Sequence, residues 1–137
     1  MLIDKAKEIM MTAHKGQVDK AGRPYYLHPQ AVSAFCVTEN EKVVALLHDV
    51  LEDSNLTKEE LARCFPSDIV DAVLLLTHEQ GTDYMDYVAK IKKNPLARAV
   101  KISDLRQNIS LNRLNSLSLN DAMRAEKYAK ALVLLLS

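Results

Sequence analysis

Apolar residues recur at helical spacing along almost the whole chain, and few residues interrupt the pattern. The 137 residues include three Gly and four Pro, which leaves little of the turn punctuation that separates strands. Ile3, Ala6, Ile9, Met10 and Ala13 show the i, i+3, i+4 spacing of a helix that buries one face. The pattern predicts an all-α fold, a bundle of about seven or eight helices.

Several predicted helix boundaries carry their own signals. Thr57 and Glu60 have the spacing of a capping box, Asn94 precedes a proline in a first helical turn, and Ser118 to Asp121 resemble a cap for the last helix. A third helix is predicted to run unbroken from about Glu41 to Asp53. Helical spacing also predicts that Tyr84 and Tyr87 are buried and that Met123, Tyr128 and Leu132 of the last helix face inward. By composition alone, two Leu-rich pieces could instead be strands, namely residues 73–76 and 132–136.

Length and composition predict one domain over residues 1–137. Lys plus Arg and Asp plus Glu are both 18, so there is no basic field of the kind that binds nucleic acid. The chain is charged from residue 4, and its longest apolar stretch, 131–136, is too short to span a bilayer. We therefore expect a cytoplasmic protein with two free thiols and no membrane partner. Apolar positions on the last helix leave a homodimer open.

Four titratable residues end the apolar run 43–47. They are His48, Asp49, Glu52 and Asp53. A run this apolar is expected to be buried, and a lone buried charge costs roughly several kcal/mol. A divalent metal ion would compensate these charges.

Further metal ligands must come from elsewhere in the chain. His28 lies where a loop meets the second predicted helix, and Asp104 lies in the long helix that follows Asn94. Lys101 and Asn108 stand three before and four after Asp104, so the three form one polar stripe suited to line a cleft. Imidazoles mixed with carboxylates suit Mn²⁺, Fe²⁺ or Zn²⁺ better than Mg²⁺.

Each candidate also has an ordinary structural interpretation. A histidine beside an apolar run can be a satisfied core residue, and acids after it can be a solvated helix end. Asp104 by itself can pair with Lys101 or Arg106. We interpret His14 as a structural residue or a support for the metal ligands, and His78 as a surface residue near a helix end. The combination of the metal candidates, in contrast, favours a metal site.

The same residues stand within five longer motifs that occur in a fixed order. The motifs are AHKGQ at 13–17, GRPYYLHP at 22–29, ALLHDVLED at 45–53, the segment 65–76, and VKISDLRQN at 100–108. This ordered set resembles the HD superfamily of metal phosphohydrolases, and within it the hydrolase domain of the RelA/SpoT alarmone enzymes and their small single-domain relatives.

The resemblance implies an all-helical HD-type fold that holds one Mn²⁺. It implies four metal ligands, His28, His48, Asp49 and Asp104. Glu52 and Asp53 match the acidic pair that activates the attacking water, and Asn108 matches a residue that contacts the substrate ribose. Cations on the motifs that could meet phosphate are Lys20, Lys101 and Arg106. Further candidate cations are Lys15, Arg23, Arg124 and Lys127.

The implied function is hydrolysis of the 3′-pyrophosphate of (p)ppGpp, and the sequence departs from that family at three positions. One is Leu105, which follows Asp104 where many relatives carry an Arg. Asp19 precedes Lys20 where the alarmone hydrolases carry an Arg that stacks on guanine, and an acid cannot stack in that way. It could instead accept hydrogen bonds from the base or select another base. His78 follows Thr77 where they carry a Lys. The alternatives are an HD phosphohydrolase for a different phosphorylated nucleotide, a nucleotide-binding module without turnover, and a structural helical adaptor.

Overall fold

The fold is all-helical, as the sequence predicts. The computed structural model describes residues 1–115 and 119–137, with side chains for 1–110 and 119–137. The helices are α1 Leu2–Ala13, α2 Leu27–Ala34, α3 Glu39–Leu47, α4 Val50–Asp53, α5 Lys58–Cys64, α6 Ser67–Leu76, α7 Tyr84–Lys92, α8 Pro95–Asn115 and α9 Leu119–Leu136. Both Leu-rich pieces that could have been strands are helical, so that alternative is wrong. In the described ranges, β-type pairing is limited to an isolated bridge between Val18 and Pro24.

The apolar run 43–47 forms the centre of the core. Every residue of this run, which makes up the second half of α3, is buried. The helix is covered on several sides because α1, α2, α6 and α8 all pack against it. A helix enclosed in this way can be apolar around its circumference, which explains why the run lacks a polar face.

The third predicted helix is broken in the structure. α3 ends at Leu47 and α4 begins at Val50, so the prediction of one helix to Asp53 is wrong. At the break, the His48 Nδ1 donates to the backbone carbonyl of Ala45, the acceptor that a continuous helix would offer to the N–H of Asp49. The backbone of Asp49 has a φ of −108° and a ψ of −2°, outside the helical range.

α3 begins earlier than predicted because of a capping box at Thr38. The Thr38 hydroxyl accepts from the N–H of Glu41, while the Glu41 carboxylate accepts from the N–H of Thr38. Other predicted boundaries are confirmed: Thr57 caps α5, and Asn94 accepts from two N–H groups in the first turn of α8. The predicted cap at Ser118 lies outside the described residues.

Replacing Thr38 with alanine should lower the free energy of unfolding by about 1 kcal/mol, because it removes the cap of the central helix. Urea denaturation followed by circular dichroism measures the change. Asn40→Ala, at an exposed position two residues later, is the matched control and should stay within about 0.5 kcal/mol of the parent protein. Equal losses in both variants would contradict a role for the capping box.

α9 packs mainly on α7 and α8 and leaves its outer side exposed. Met123, which helical spacing predicts to face inward, is 59% exposed, so that prediction is wrong. Leu119, Val133 and Leu136 on the same helix are also exposed, and a homodimer stays a prediction. Both cysteines are free thiols. None of the helices within the described ranges has the length and hydrophobicity needed to cross a membrane.

Candidate metal centre

Three helices converge where the sequence places its metal candidates. Two serine hydroxyls tie these helices together: Ser33 of α2 donates to the carbonyl of Lys42 in α3 at 3.1 Å, and Ser103 of α8 donates to the carbonyl of Val32 in α2 at 2.9 Å. α2 is thereby anchored to both α3 and α8. These anchors bring the first turn of α2, the end of α3 and the middle of α8 to one place.

His28, His48 and Asp104 meet at this point, and we call them the His/Asp set. One ligand atom from each lies within 4.8 Å of the other two. His28 Nε2 is 2.8 Å from Asp104 Oδ1, and His48 Nε2 is 3.6 Å from the same oxygen. These residues are 20 to 76 positions apart in the chain, so their proximity is a property of the fold.

The imidazole of His48 is oriented as a metal ligand would be. It is 3% exposed, and its Nδ1 donates to the carbonyl of Ala45, a bond that fixes the ring and directs Nε2 toward the carboxylates. Nε2 has no hydrogen-bond partner among the described residues. A buried ring nitrogen that lies 3.1 Å and 3.6 Å from two carboxylate oxygens, with no well-formed hydrogen bond to either, fits a divalent metal, and the two imidazoles and the carboxylates suit a transition ion.

Asp49 lies beside the His/Asp set but is not part of it. Its Oδ2 is 3.1 Å from His48 Nε2 and accepts a hydrogen bond from the Tyr25 hydroxyl at 2.6 Å. The break between α3 and α4 gives Asp49 this direction. The fourth candidate ligand therefore contacts the site through His48 and is held there by Tyr25.

The charges around the set are strongly coupled. Burial opposes charge on His48, but the nearby carboxylates of Asp49 and Asp104 outweigh it and raise the pKa of the imidazole well above its usual range. Burial likewise opposes charge on Asp104, yet Lys101 and the two histidines hold its pKa well below the usual value. For Asp49, His48 overcomes the effect of burial and lowers the pKa to about 2. The set therefore attracts positive charge, which either a proton or a metal ion can supply.

Tyr25→Phe should weaken metal binding by about tenfold, because it removes the hydroxyl that orients Asp49 while leaving the ring in place. Titration of the chelator-treated protein with Mn²⁺ by calorimetry measures this change. Tyr26→Phe is the matched control, since Tyr26 belongs to the same segment and, among the described residues, the tyrosine hydroxyl bound to Asp49 is that of Tyr25. If Tyr25→Phe binds the ion as the parent does, Tyr25 does not orient a ligand.

The His/Asp set borders a cleft of about 170 Å³ through His48, which is the member of the set that lines it. We call it the cleft; its lining residues are His48, Asp49, Glu52, Leu76, His78, Tyr84, Tyr87, Lys101, Asn108, Lys127 and Tyr128. A larger depression of about 700 Å³ is lined by residues 38–41, Asp68, Asp71 and 94–96, and this lining contains carboxylates but no Lys or Arg. Its charge would repel an anionic ligand, so the smaller cleft is the candidate site.

The polar stripe on α8 connects the cleft to the His/Asp set. Lys101 Nζ donates to Asp104 Oδ2 at 2.9 Å, and Asn108 Nδ2 donates to Asp104 Oδ1 at 3.1 Å. Both donors therefore orient Asp104 and line the cleft. The sequence predicted this stripe from helical spacing, and the structure brings its three residues into contact.

The acidic pair is divided between two surfaces. Glu52 lines the cleft and accepts a hydrogen bond from the N–H of His78. Asp53 lines a different depression, and its carbonyl accepts from Gln17 Nε2 at 2.7 Å. Burial raises the pKa of both carboxyl groups, and Asp49 adds to the effect. Glu52 thus has direct access to a ligand in the cleft.

Three predicted substrate contacts lie outside the cleft lining. The Asp19 carboxylate is hydrogen-bonded within its own loop. Its Oδ1 accepts from the N–H of Ala21 at 2.9 Å and from the N–H of Arg23 at 3.0 Å. Lys20 and Arg106 are exposed. The structure therefore does not bring these three residues to the His/Asp set.

Aromatic residues form a wall of the cleft that the sequence analysis did not assign to a site. Tyr84 and Tyr87 of α7 and Tyr128 of α9 were predicted only to be buried, and all three line the cleft. His78 stacks near Tyr87 with 4.6 Å between ring centroids, so its interpretation as a surface residue is wrong. The three-residue spacing of Tyr84 and Tyr87 indicated that they share a helix face. It did not indicate that this face lines a cleft.

His14, interpreted as structural, is buried beside the site. Its Nδ1 donates to Gln17 Oε1 at 2.9 Å, and its ring packs near that of Tyr25 with 5.0 Å between centroids. Gln17 in turn donates to the carbonyls of Ala13 and Asp53. The motif at 13–17 therefore contacts the motif at 22–29 through Tyr25 and the motif at 45–53 through Asp53.

Comparisons with known proteins agree with this architecture. The chain is 40% identical over 75 residues to a guanosine-3′,5′-bis(diphosphate) 3′-pyrophosphohydrolase of Borreliella burgdorferi, a match that covers 52% of this chain and 11% of that protein. It is 30% identical over 140 residues to a GTP pyrophosphokinase of Myxococcus xanthus, covering 94% of this chain and 18% of that protein. A guanosine-3′,5′-bis(diphosphate) 3′-pyrophosphohydrolase of Aquifex aeolicus is 30% identical over 119 residues, 78% of this chain and 17% of that protein.

The chain spans less than a fifth of the length of these relatives. No family model matches it. Among solved structures, a metazoan ortholog of SpoT, described as hydrolysing ppGpp and acting in starvation responses, has a TM-score of 0.79 at 22% identity, covering 98% of this chain and 85% of that one. That match shows a shared helical fold. With the sequence matches, it makes the chain a relative of the RelA/SpoT-type (p)ppGpp hydrolases with an HD-type fold.

Proposed function

We propose that the chain is a metal-dependent nucleotide phosphohydrolase that removes pyrophosphate from the 3′ position of (p)ppGpp. The observation that carries the proposal is the buried His/Asp set bordering a cleft with both a carboxylate and lysines. The names of the relatives from Borreliella burgdorferi and Aquifex aeolicus give the same reaction. A structural adaptor would not require a buried polar cluster of this cost.

In this proposal His28, His48 and Asp104 hold a divalent ion, with Asp49 as a fourth ligand. We propose Mn²⁺, with Fe²⁺ or Zn²⁺ as alternatives, because the donor set mixes imidazoles and carboxylates. When bound, the ion would supply Lewis-acid polarisation of a phosphoryl oxygen. Tyr25 keeps the Asp49 carboxylate directed at the set.

The other residues of the site act on water and substrate. Glu52 in the cleft accepts a proton from the attacking water, and a pKa raised by burial suits a general base. We propose Asp53 as its partner. Lys101 meets negative charge on the phosphoryl group, and Asn108 contacts the ribose; their position in the cleft lining supports both roles.

The nucleoside would extend beyond the cleft toward the loop of Asp19 and Lys20. Lys20 and Arg106 stay proposed phosphate contacts; both are exposed and neither lines the cleft. Asp19 favours a second candidate function, hydrolysis of a different phosphorylated nucleotide, because it replaces the guanine-stacking arginine of the alarmone hydrolases. Its carboxylate already accepts two loop N–H groups.

The direct test is pyrophosphate release from ppGpp and pppGpp by the Mn²⁺-loaded protein, compared with a panel of other 3′-phosphorylated nucleotides. We expect release from ppGpp that stops when a chelator removes the ion. Cleavage confined to another nucleotide would support the second candidate function. Binding of ppGpp without any turnover would instead indicate a nucleotide-binding module.

A further inference from the structure

Lys127 stands apart from the other cation of the cleft. Lys101 is paired with Asp104, and that carboxylate, together with Tyr87 and Tyr84, raises its pKa well above the usual range even though burial opposes this. Lys127 of α9 lines the same cleft, but in the described part of the chain it forms no ion pair with a carboxylate. Its positive charge is therefore available to a ligand.

An aromatic contact holds the exposed Lys127 side chain against the wall of the cleft, and Lys127 also lines a neighbouring depression with Arg124. Its Nζ lies 4.2 Å from the centroid of the Tyr84 ring and 5.8 Å from that of Tyr128. An ammonium at this distance is attracted to the ring face and keeps its hydrogen-bond donors for another partner. Lys130, one turn further along α9, is instead paired with Glu126 at 3.3 Å on the exposed side. The two lysines of α9 thus have different environments.

The volume of the cleft indicates which part of a nucleotide it can enclose. At about 170 Å³ it is smaller than the roughly 300–1,000 Å³ of pockets that surround a drug-sized ligand. It can hold a phosphoryl or pyrophosphoryl group while the base remains outside. The carboxylates of Asp49 and Glu52 also line the cleft, so an anion that enters needs cations on the opposite wall.

We propose that Lys127 binds the pyrophosphate group of the substrate, held toward the cleft by the face of Tyr84. This inference rests on the proposed function and adds to it a substrate-contacting residue on the last helix. Lys127, on α9, then supplies a positive charge to the cleft lining, to which His78 also belongs. His78 cannot supply it through its ring Nε2, which donates to the carbonyl of Thr82 at 2.8 Å.

The test compares Lys127→Met, which keeps the length of the side chain and removes its charge, with Lys130→Met as the matched control. Binding of inorganic pyrophosphate to the Mn²⁺-loaded protein is measured by calorimetry, and hydrolysis of ppGpp is measured in parallel. Lys127→Met should weaken pyrophosphate binding by about tenfold, the scale of a charge-assisted hydrogen bond. Lys127→Arg should restore most of the affinity, and Lys130→Met should match the parent.

The aromatic contact has its own test. Tyr84→Leu should weaken pyrophosphate binding by about threefold and should add little in the Lys127→Met background, because its effect acts through the lysine. Thermal melting checks that each variant is folded.

Unchanged pyrophosphate affinity in Lys127→Met, or a parent protein that does not bind pyrophosphate, would overturn this inference. If the parent hydrolyses ppGpp and Lys127→Met is unaffected in both assays, the inference fails and the proposed function stands. If Lys127 is required for pyrophosphate binding but no nucleotide is hydrolysed, the proposed function fails and the anion subsite stands.

Discussion

Replacing His48 with alanine should weaken the affinity for a divalent metal by more than about 100-fold, since even residues that only support a ligand change metal affinity by 10- to 100-fold. The variant removes a buried nitrogen that faces two carboxylates and has no hydrogen-bond partner among the described residues. Calorimetric titration of the chelator-treated protein with Mn²⁺ gives the dissociation constant. Metal content after purification provides a second measurement.

Two further variants make the His48 result interpretable. His48→Ala leaves a cavity in the core, so Asp104→Asn, which keeps the side-chain volume and removes the charge, should show a similar loss without that complication. His78→Ala is the matched histidine control, because His78 lines the cleft but does not belong to the His/Asp set. Equal metal affinity in all three variants and the parent would contradict the metal centre.

Glu52→Gln should lower kcat for nucleotide hydrolysis by about 10²- to 10⁴-fold, the contribution expected of a general base. The amide oxygen can still accept the hydrogen bond that Glu52 receives from the N–H of His78, so the segment around His78 should keep its position. Metal affinity and substrate binding should stay close to those of the parent. Single-turnover kinetics with the metal-loaded protein measure the chemical step.

Comparison with Asp53→Asn tests which of the two acidic residues, Glu52 or Asp53, acts as the general base. Glu52 lines the cleft and Asp53 does not, so the loss in kcat should be smaller for Asp53→Asn. The hydrogen bond from Gln17 should survive, because Gln17 donates to the backbone carbonyl of Asp53. A larger loss for Asp53→Asn would assign the general base to Asp53 instead.

The helical content could be predicted from the sequence because helix periodicity and capping are local properties. The apolar run 43–47, the side-chain cap at Thr57 and the asparagine before α8 are all recognisable within a few residues. The break after Leu47 was missed, since it depends on a histidine side chain competing for a backbone carbonyl. The inward prediction for Met123 failed because α9 has helices on one side only.

The candidate site was likewise predictable from the sequence only in part. Residue types made His28, His48, Asp49 and Asp104 candidates, because buried charge must be compensated, and the resemblance of the ordered motifs implied them as ligands; the structure brings three of them together. Residue types and motifs could not show that Asp19 is engaged by its own loop, or that His78 lies in the cleft. These outcomes depend on how separate helices and loops pack, which periodicity does not encode.

The sequence by itself determined the all-helical class, because spacing along a helix is set by neighbouring residues. It also supplied the candidate metal ligands, through residue types and through the resemblance of its ordered motifs to the HD phosphohydrolases. The tertiary structure decided how those side chains meet. Ser33 and Ser103 join three helices at one point, and α9 brings Lys127 over Tyr84. Contacts between residues so far apart in the chain arise only when the helices pack against one another, so the aromatic and cationic wall of the cleft became visible only in the folded protein.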